Sequence, residues 1–290
     1  MTALLIVARF AQFASAMALF GASLFLAALA PPVLRADLAP SMRPIVTIAS
    51  VAAAASAALW LLLESGEMGG GWRYAVDPTV LATVLADTGF GQVWRARLVL
   101  ALILIVLAFW RAAPPAALAA LSAFFLASLA LVGHAAMREN AAGLFERANQ
   151  ALHLTAGGFW LGSLPPLLLS LRRLGDPALK GATGAALRRF SGLGHVAVAA
   201  VLVTGAINTF VILGRPPLDF SSVYQACLAA KIAMVAIMVV LALFNRYWLT
   251  PRLALDPEAE FALARNTAVE IGLGGLVLAL VSAFATFEPV

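Results

Sequence analysis

About eight apolar runs, each of roughly 20 residues, recur along the chain. At 1.5 Å per residue a helix of that length crosses the ~30 Å hydrocarbon core of a bilayer. In lipid every backbone polar group must be satisfied within the protein, so only helices or closed barrels span it. The alternating pattern of barrel strands is absent here. Charged residues are 11% of the chain, against about 25% in a soluble domain. The expected fold is therefore an all-α integral membrane bundle, a single polytopic domain over residues 1–290. Punctuation by Pro, Gly and charge places its helices at 4–30, 44–64, 93–111, 114–134, 148–170, 187–211, 224–248 and 263–286. The first run resembles a signal peptide, but its length, Arg9 within it and the Pro31-Pro32 exit identify it as helix 1.

The net charge of +5 comes from basic residues scattered between apolar runs, with no stripe interleaved with aromatics, so nucleic acid is not the expected partner. Loops after the first, third, fifth and seventh helices carry eleven Lys or Arg, from Arg35 to Arg265. The other loops carry six, from Arg73 to Arg215. The positive-inside rule then puts the first set in the cytoplasm and both termini outside. Within the long outer loop, Asp77 followed by Pro78 has the form of an N-cap and first turn, which predicts a short surface helix. FGQVWRAR at 90–97 and YQACLAAK at 224–231 set a cation at matching places, Arg97 and Lys231. This suggests a four-plus-four parallel repeat, with both long side chains reaching the outer interface.

Ionisable side chains are costly inside lipid, about 2.5–3.5 kcal/mol at mid-helix on insertion scales, so the few present are the candidates for chemistry. An outer layer contains His134 ending helix 4, His153 early in helix 5, Glu64 ending helix 2, and Glu67, Met68 and Met137 nearby. Imidazole, thioether and carboxylate at one depth make a set that suits copper. The same histidines also serve as helix caps or carbonyl donors, and both roles stay open. An inner layer contains His195 and Glu270, at matching depth in helices 6 and 8, able either to relay an ion or to neutralise one another. Asn208 near the outer end of helix 6 can bond across helices or face a cavity.

Cys227, the one cysteine, excludes an intramolecular disulfide and paired-cysteine metal motifs. With Met234 and Met238 it forms a soft stripe, but Lys231 shares that face and would repel a cation. Gly157, Gly158, Gly162 and Ser163 form a close-packing face, and Trp160 beside them belongs to the core. No nucleotide-binding loop, HExxH or GxSxG motif is present, so no enzyme activity is expected.

Five strings carry a resemblance: GHA at 133–135, ALHLTAGGFWLGSL at 151–164, RRFSGLGHVAVAAVLVTGAINT at 188–209, YQACLAAKIAMVAIMVVLALFNRYWLTPRL at 224–253 and VEIGLGGLVLAL at 269–280. Together they resemble the CopD copper-resistance, or copper-import, membrane proteins, most strongly from Gly133 onward. The resemblance implies a bacterial inner (plasma) membrane, copper transport or homeostasis, and a periplasmic copper-binding partner of the CopC type. His134, His153, Asn208, Lys231, Asn245, Arg246 and Glu270 match the family pattern, whereas His195 does not.

The expected function is movement of copper from the periplasm inward, with membrane lipid as surroundings. Its expected ligands are His134, His153, Glu64, Met68 and Met137, with Glu270, His195 and Asn208 as relay. Two other readings stay open. Two histidines at one depth can ligate haem b in a redox protein, or the chain is a non-transporting partner of a copper chaperone. Oligomeric state is not legible.

Overall fold

The computed structural model describes residues 1–133, 140–253 and 256–287, and every regular element among them is helical. In order these are α1 (Thr2–Leu24), α2 (Pro32–Gly69), α3 (Pro78–Asp87), α4 (Gly89–Phe109), α5 (Pro115–Ala127), α6 (Ala141–Leu171), α7 (Lys180–Leu213), α8 (Val223–Phe244) and α9 (Pro257–Phe284). A π turn at Phe25–Leu29 ends α1, another at Asn245–Leu249 ends α8, and a 3-10 turn at Ser128–Leu131 ends α5. Among the described residues seven helices are long and apolar enough to cross a membrane. The fourth expected span is the shorter stretch Pro115–Leu131. Its α and 3-10 residues together reach ~28 Å, close to the bilayer core.

Several helices run past the limits set by hydropathy. Residues 35–43 read as a loop but continue α2, because Leu34, Leu38 and Met42 recur on one face and are fully buried. Asp37 on the same stretch pairs with Arg173 at 2.6 Å. Pro40 and Pro44 each remove one ladder bond without ending the helix. Caps extend α6 and α9: Asn140 accepts from the amide of Gly143 at 3.1 Å, and Asp256 from that of Glu258 at 2.9 Å. The short helix expected after Asp77 is α3, whose first amides, at Thr79 and Val80, donate to the Asp77 carboxylate at 2.8 and 3.4 Å.

The α1 helix lies at the centre, packed on α2, α5, α6 and α9, while α7 rests on α6 and α8 on α9. Close approach requires glycine where α1 meets α6. A Cβ on Gly21 would lie 2.1 Å from the carbonyl carbon of Gly162, and one on Gly162 would lie 2.0 Å from the Met17 oxygen. The Ser163 hydroxyl bonds the Gly21 carbonyl across this contact at 3.2 Å.

Arg97 does not reach the interface as expected. It is 1% exposed, lies over the Phe125 ring at 4.4 Å, and donates to the Phe125 carbonyl at 2.7 Å and to the Ser128 hydroxyl. The α5 helix and its 3-10 turn supply these partners, and a planar, weakly hydrated guanidinium tolerates such a site better than an ammonium. Lys231, by contrast, is half-buried.

Candidate functional site

Among the described residues, two polar assemblies hold the candidates for chemistry. The first lies between α6 and α7. Asn149 and His153 on α6 and Thr204 and Asn208 on α7 each stand four residues apart, so both pairs face one way on their helices. Asn149 donates through Nδ2 to the Thr204 carbonyl at 3.1 Å and to Asn208 Oδ1 at 2.8 Å. Asn208 in turn donates to Gln150 Oε1 at 2.8 Å. Asn149, Gln150 and Thr204 were not singled out in the sequence. The repeated four-residue spacing of polar side chains in apolar runs was the signal for Asn149 and Thr204.

Inside this network His153 Nδ1 lies 2.8 Å from Thr204 Oγ1. The Thr204 hydroxyl spends its own hydrogen on the Ala200 carbonyl, so its oxygen accepts and Nδ1 carries the donated hydrogen. A neutral imidazole then keeps its lone pair on Nε2, the nitrogen that a metal takes. The ring lies against the α7 backbone at Gly205, where an added Cβ would come within 3.3 Å of its Cε1. Lys231 on α8 is close enough to act on His153 electrostatically.

The other expected outer ligands do not gather around His153 among the described residues. Glu64 is held against α1, accepting from Trp60 Nε1 at 3.2 Å and facing Arg9, whose guanidinium lies 5.1 Å from the Trp60 ring centroid. Glu67 and Met68 are exposed near the end of α2. His134 and Met137 lie outside the described residues. Among the described residues, no three His, Cys, Asp or Glu side chains converge as a metal site. The methionine stripe on α8 is packing: Met238 is buried with Ala156, Trp160 and Val201, and Cys227 is packed against the cluster of Tyr224, Leu228 and Phe284.

The second assembly surrounds a cavity of about 220 Å³ to which α6, α7, α8 and α9 all contribute, with His195 and Glu270 in its lining. They are not bonded to each other. Glu270, 3% exposed, accepts from Asn245 Nδ2 at 2.7 Å. Asn245 is fixed in turn by Asn266, which donates to its Oδ1 at 2.9 Å. The π turn ending α8 is what brings Asn245 and Arg246 together into the cavity lining.

His195 Nδ1 lies 2.7 Å from the Ser191 carbonyl, which only accepts, so Nδ1 is again the protonated nitrogen. Its Nε2 accepts from the Tyr247 hydroxyl at 3.2 Å. Glu270 thus has a neutral donor as its partner, with capacity left on its second oxygen for a cation or a proton.

Comparison with known proteins adds to this geometry. Residues 1–144 match the family model for the copper resistance protein D-like N-terminal domain, and residues 184–284 match that for copper resistance protein D. The chain is 35% identical to the inner membrane protein YebZ of Escherichia coli (strain K12), over 97% of each protein. It is 30% identical to copper resistance protein D of Pseudomonas syringae pv. tomato, over 98% of this chain and 96% of that one. With the copper transport protein CutJ of Bacillus subtilis (strain 168) it shares 27% identity over 75% of this chain and 40% of the relative. No solved structure matches the chain.

Proposed function

The chain belongs to the copper resistance protein D family, and from that premise we propose that it carries copper inward across a bacterial inner membrane. The observation that supports this most is the state of His153: its Nδ1 is held by Thr204, so the neutral ring keeps its lone pair on Nε2 within a polar network between α6 and α7. Copper accepts imidazole nitrogen in both oxidation states. In this reading His134 and Met137 complete the outer site with His153. Glu64 and Met68 act at most in capture, since Glu64 is held against α1 and Met68 is exposed near the end of α2. Asn208 holds the α6–α7 network that orients the ring, and Glu270, with His195 across the cavity, relays the ion toward the cytoplasm. A CopC-type periplasmic protein delivers the copper.

The test is copper stoichiometry and copper-dependent uptake for His134→Ala, His153→Ala and the double variant, each checked for folding. Two ligands of one ion are not additive. Each single change is expected to remove most binding, and the double to add little. Singles that bind copper like the unaltered protein would sink the site. The Nε2 lone pair suits haem iron equally, so an absorption spectrum belongs to the same experiment. A Soret band lost in His153→Ala would replace copper by haem b.

The route also requires the outer site to face the periplasm, with both termini on that side. In a Cys227→Ser background, cysteines at Thr2 and Ser221 are expected to react with an impermeant thiol reagent in intact spheroplasts. One at Ala112, in the α4–α5 loop, is expected to react only after permeabilisation. The reverse pattern would invert the path.

A further inference from the structure

The cavity lined by His195 and Glu270 has a second feature that copper relay does not use. Its rim on α7 and α8 includes Leu202 and Leu243, which are 46% and 44% exposed. Both lie within membrane-crossing segments. The cavity therefore opens sideways, toward lipid. Most of its lining is aliphatic or aromatic, yet it also includes Ser191, His195, Asn245, Arg246 and Glu270.

We propose that this cavity binds the head group of an isoprenoid quinone, with the prenyl tail leaving between Leu202 and Leu243 into the bilayer. A cavity of 150 Å³ accepts benzene, so one of about 220 Å³ holds a substituted six-membered ring. The tail needs no room inside, because the mouth is apolar.

The polar part of the lining has the character that such a ring requires. A quinone oxygen only accepts, and Arg246, whose bond to the Ser191 hydroxyl uses one of its five N–H groups, has donors to spare. A quinol hydroxyl also donates, and Glu270, whose Oε1 takes the Asn245 amide, keeps its second oxygen as an acceptor in the same lining. An acyl chain would offer nothing to the spare N–H groups of Arg246 or to the second carboxylate oxygen of Glu270. Gly194 opens the space further: a Cβ built there meets nothing within 4 Å.

The proposal shares Glu270 and His195 with the copper relay but does not rest on it, since it is argued from the cavity and its opening toward lipid. It is tested on the purified full chain by solvent extraction of bound lipids, and by titration with decylubiquinone, following quenching of tryptophan emission, since Trp160 lines the cavity. Saturable binding of one quinone per chain is expected. Gly194→Phe, which fills the space without removing a polar group, and Arg246→Met are each expected to weaken it about ten-fold or more, the loss of one water-shielded hydrogen bond being enough.

His153→Ala is expected to bind quinone normally even if copper uptake is lost, so the two readings fail separately. Binding that does not saturate in the unaltered protein would overturn the proposal. So would an affinity unchanged in both cavity variants, or an extract with phospholipid as its only bound lipid.

Discussion

Gly162→Leu is expected to prevent assembly of the bundle, leaving little or no monodisperse protein after detergent extraction. The Cβ alone would stand 2.0 Å from the Met17 carbonyl oxygen. Because that neighbour is backbone, no rotamer change relieves the clash, and α1 and α6 must separate. Overpacking a core that can adjust costs about 1–3 kcal/mol, and here adjustment also breaks the Ser163 to Gly21 bond and loosens α1 from its neighbours.

Small residues matter more in lipid than in water, because close packing rather than hydrophobic burial drives helix association there. Gly157 on the same helix provides the control. A Cβ at Gly157 meets its nearest atoms at 3.9 and 4.0 Å, so Gly157→Ala is expected to elute and melt like the unaltered protein. Gly162→Leu protein that is monodisperse with an unchanged melting temperature would show that the α1–α6 contact is looser than described.

Glu270→Gln is expected to abolish copper accumulation in a protein that still folds. The substitution keeps the shape and an acceptor for Asn245, so the stability change should stay within about 1 kcal/mol. It removes the buried carboxylate that the described residues place in the cavity lining, a group that a cation crossing this half of the bundle can use. Glu270→Leu should in addition destabilise the chain by about 1–3 kcal/mol, since the buried Asn245 amide loses its acceptor. The measurements are copper content of cells or proteoliposomes beside thermal melting of the same preparations. Full accumulation in Glu270→Gln would reduce the residue to a packing role.

The two predictions separate along the line between what could and could not be read from sequence. The membrane class, the all-α bundle and most helix cores follow from hydropathy alone, because a lipid environment allows few backbone solutions. Helix ends followed less well. Hydropathy reports where lipid begins, while the helices continue through capping by Asn140 and Asp256 and through the buried Leu34, Leu38 and Met42 face.

Individual polar residues were visible as costly exceptions in apolar runs. His153, Asn208, His195 and Glu270 were found that way, since every ionisable group in lipid must have a reason. What each one bonds was not visible. Arg97 read as a snorkelling anchor and is buried, because its fate depended on whether α5 covered it.

The sequence by itself determined the solvent of this protein, its secondary structure and its family, since all three depend on residue types and spacing along one chain. Only the tertiary structure decided that Gly21 and Gly162 touch, that Thr204 and Ser191 fix the ring nitrogens of the two described histidines, and that a lipid-facing cavity lies beside Glu270. Those are properties of helix rotation and crossing. An apolar helix in lipid has no preferred face until a neighbour supplies one, so its sequence leaves its rotation open.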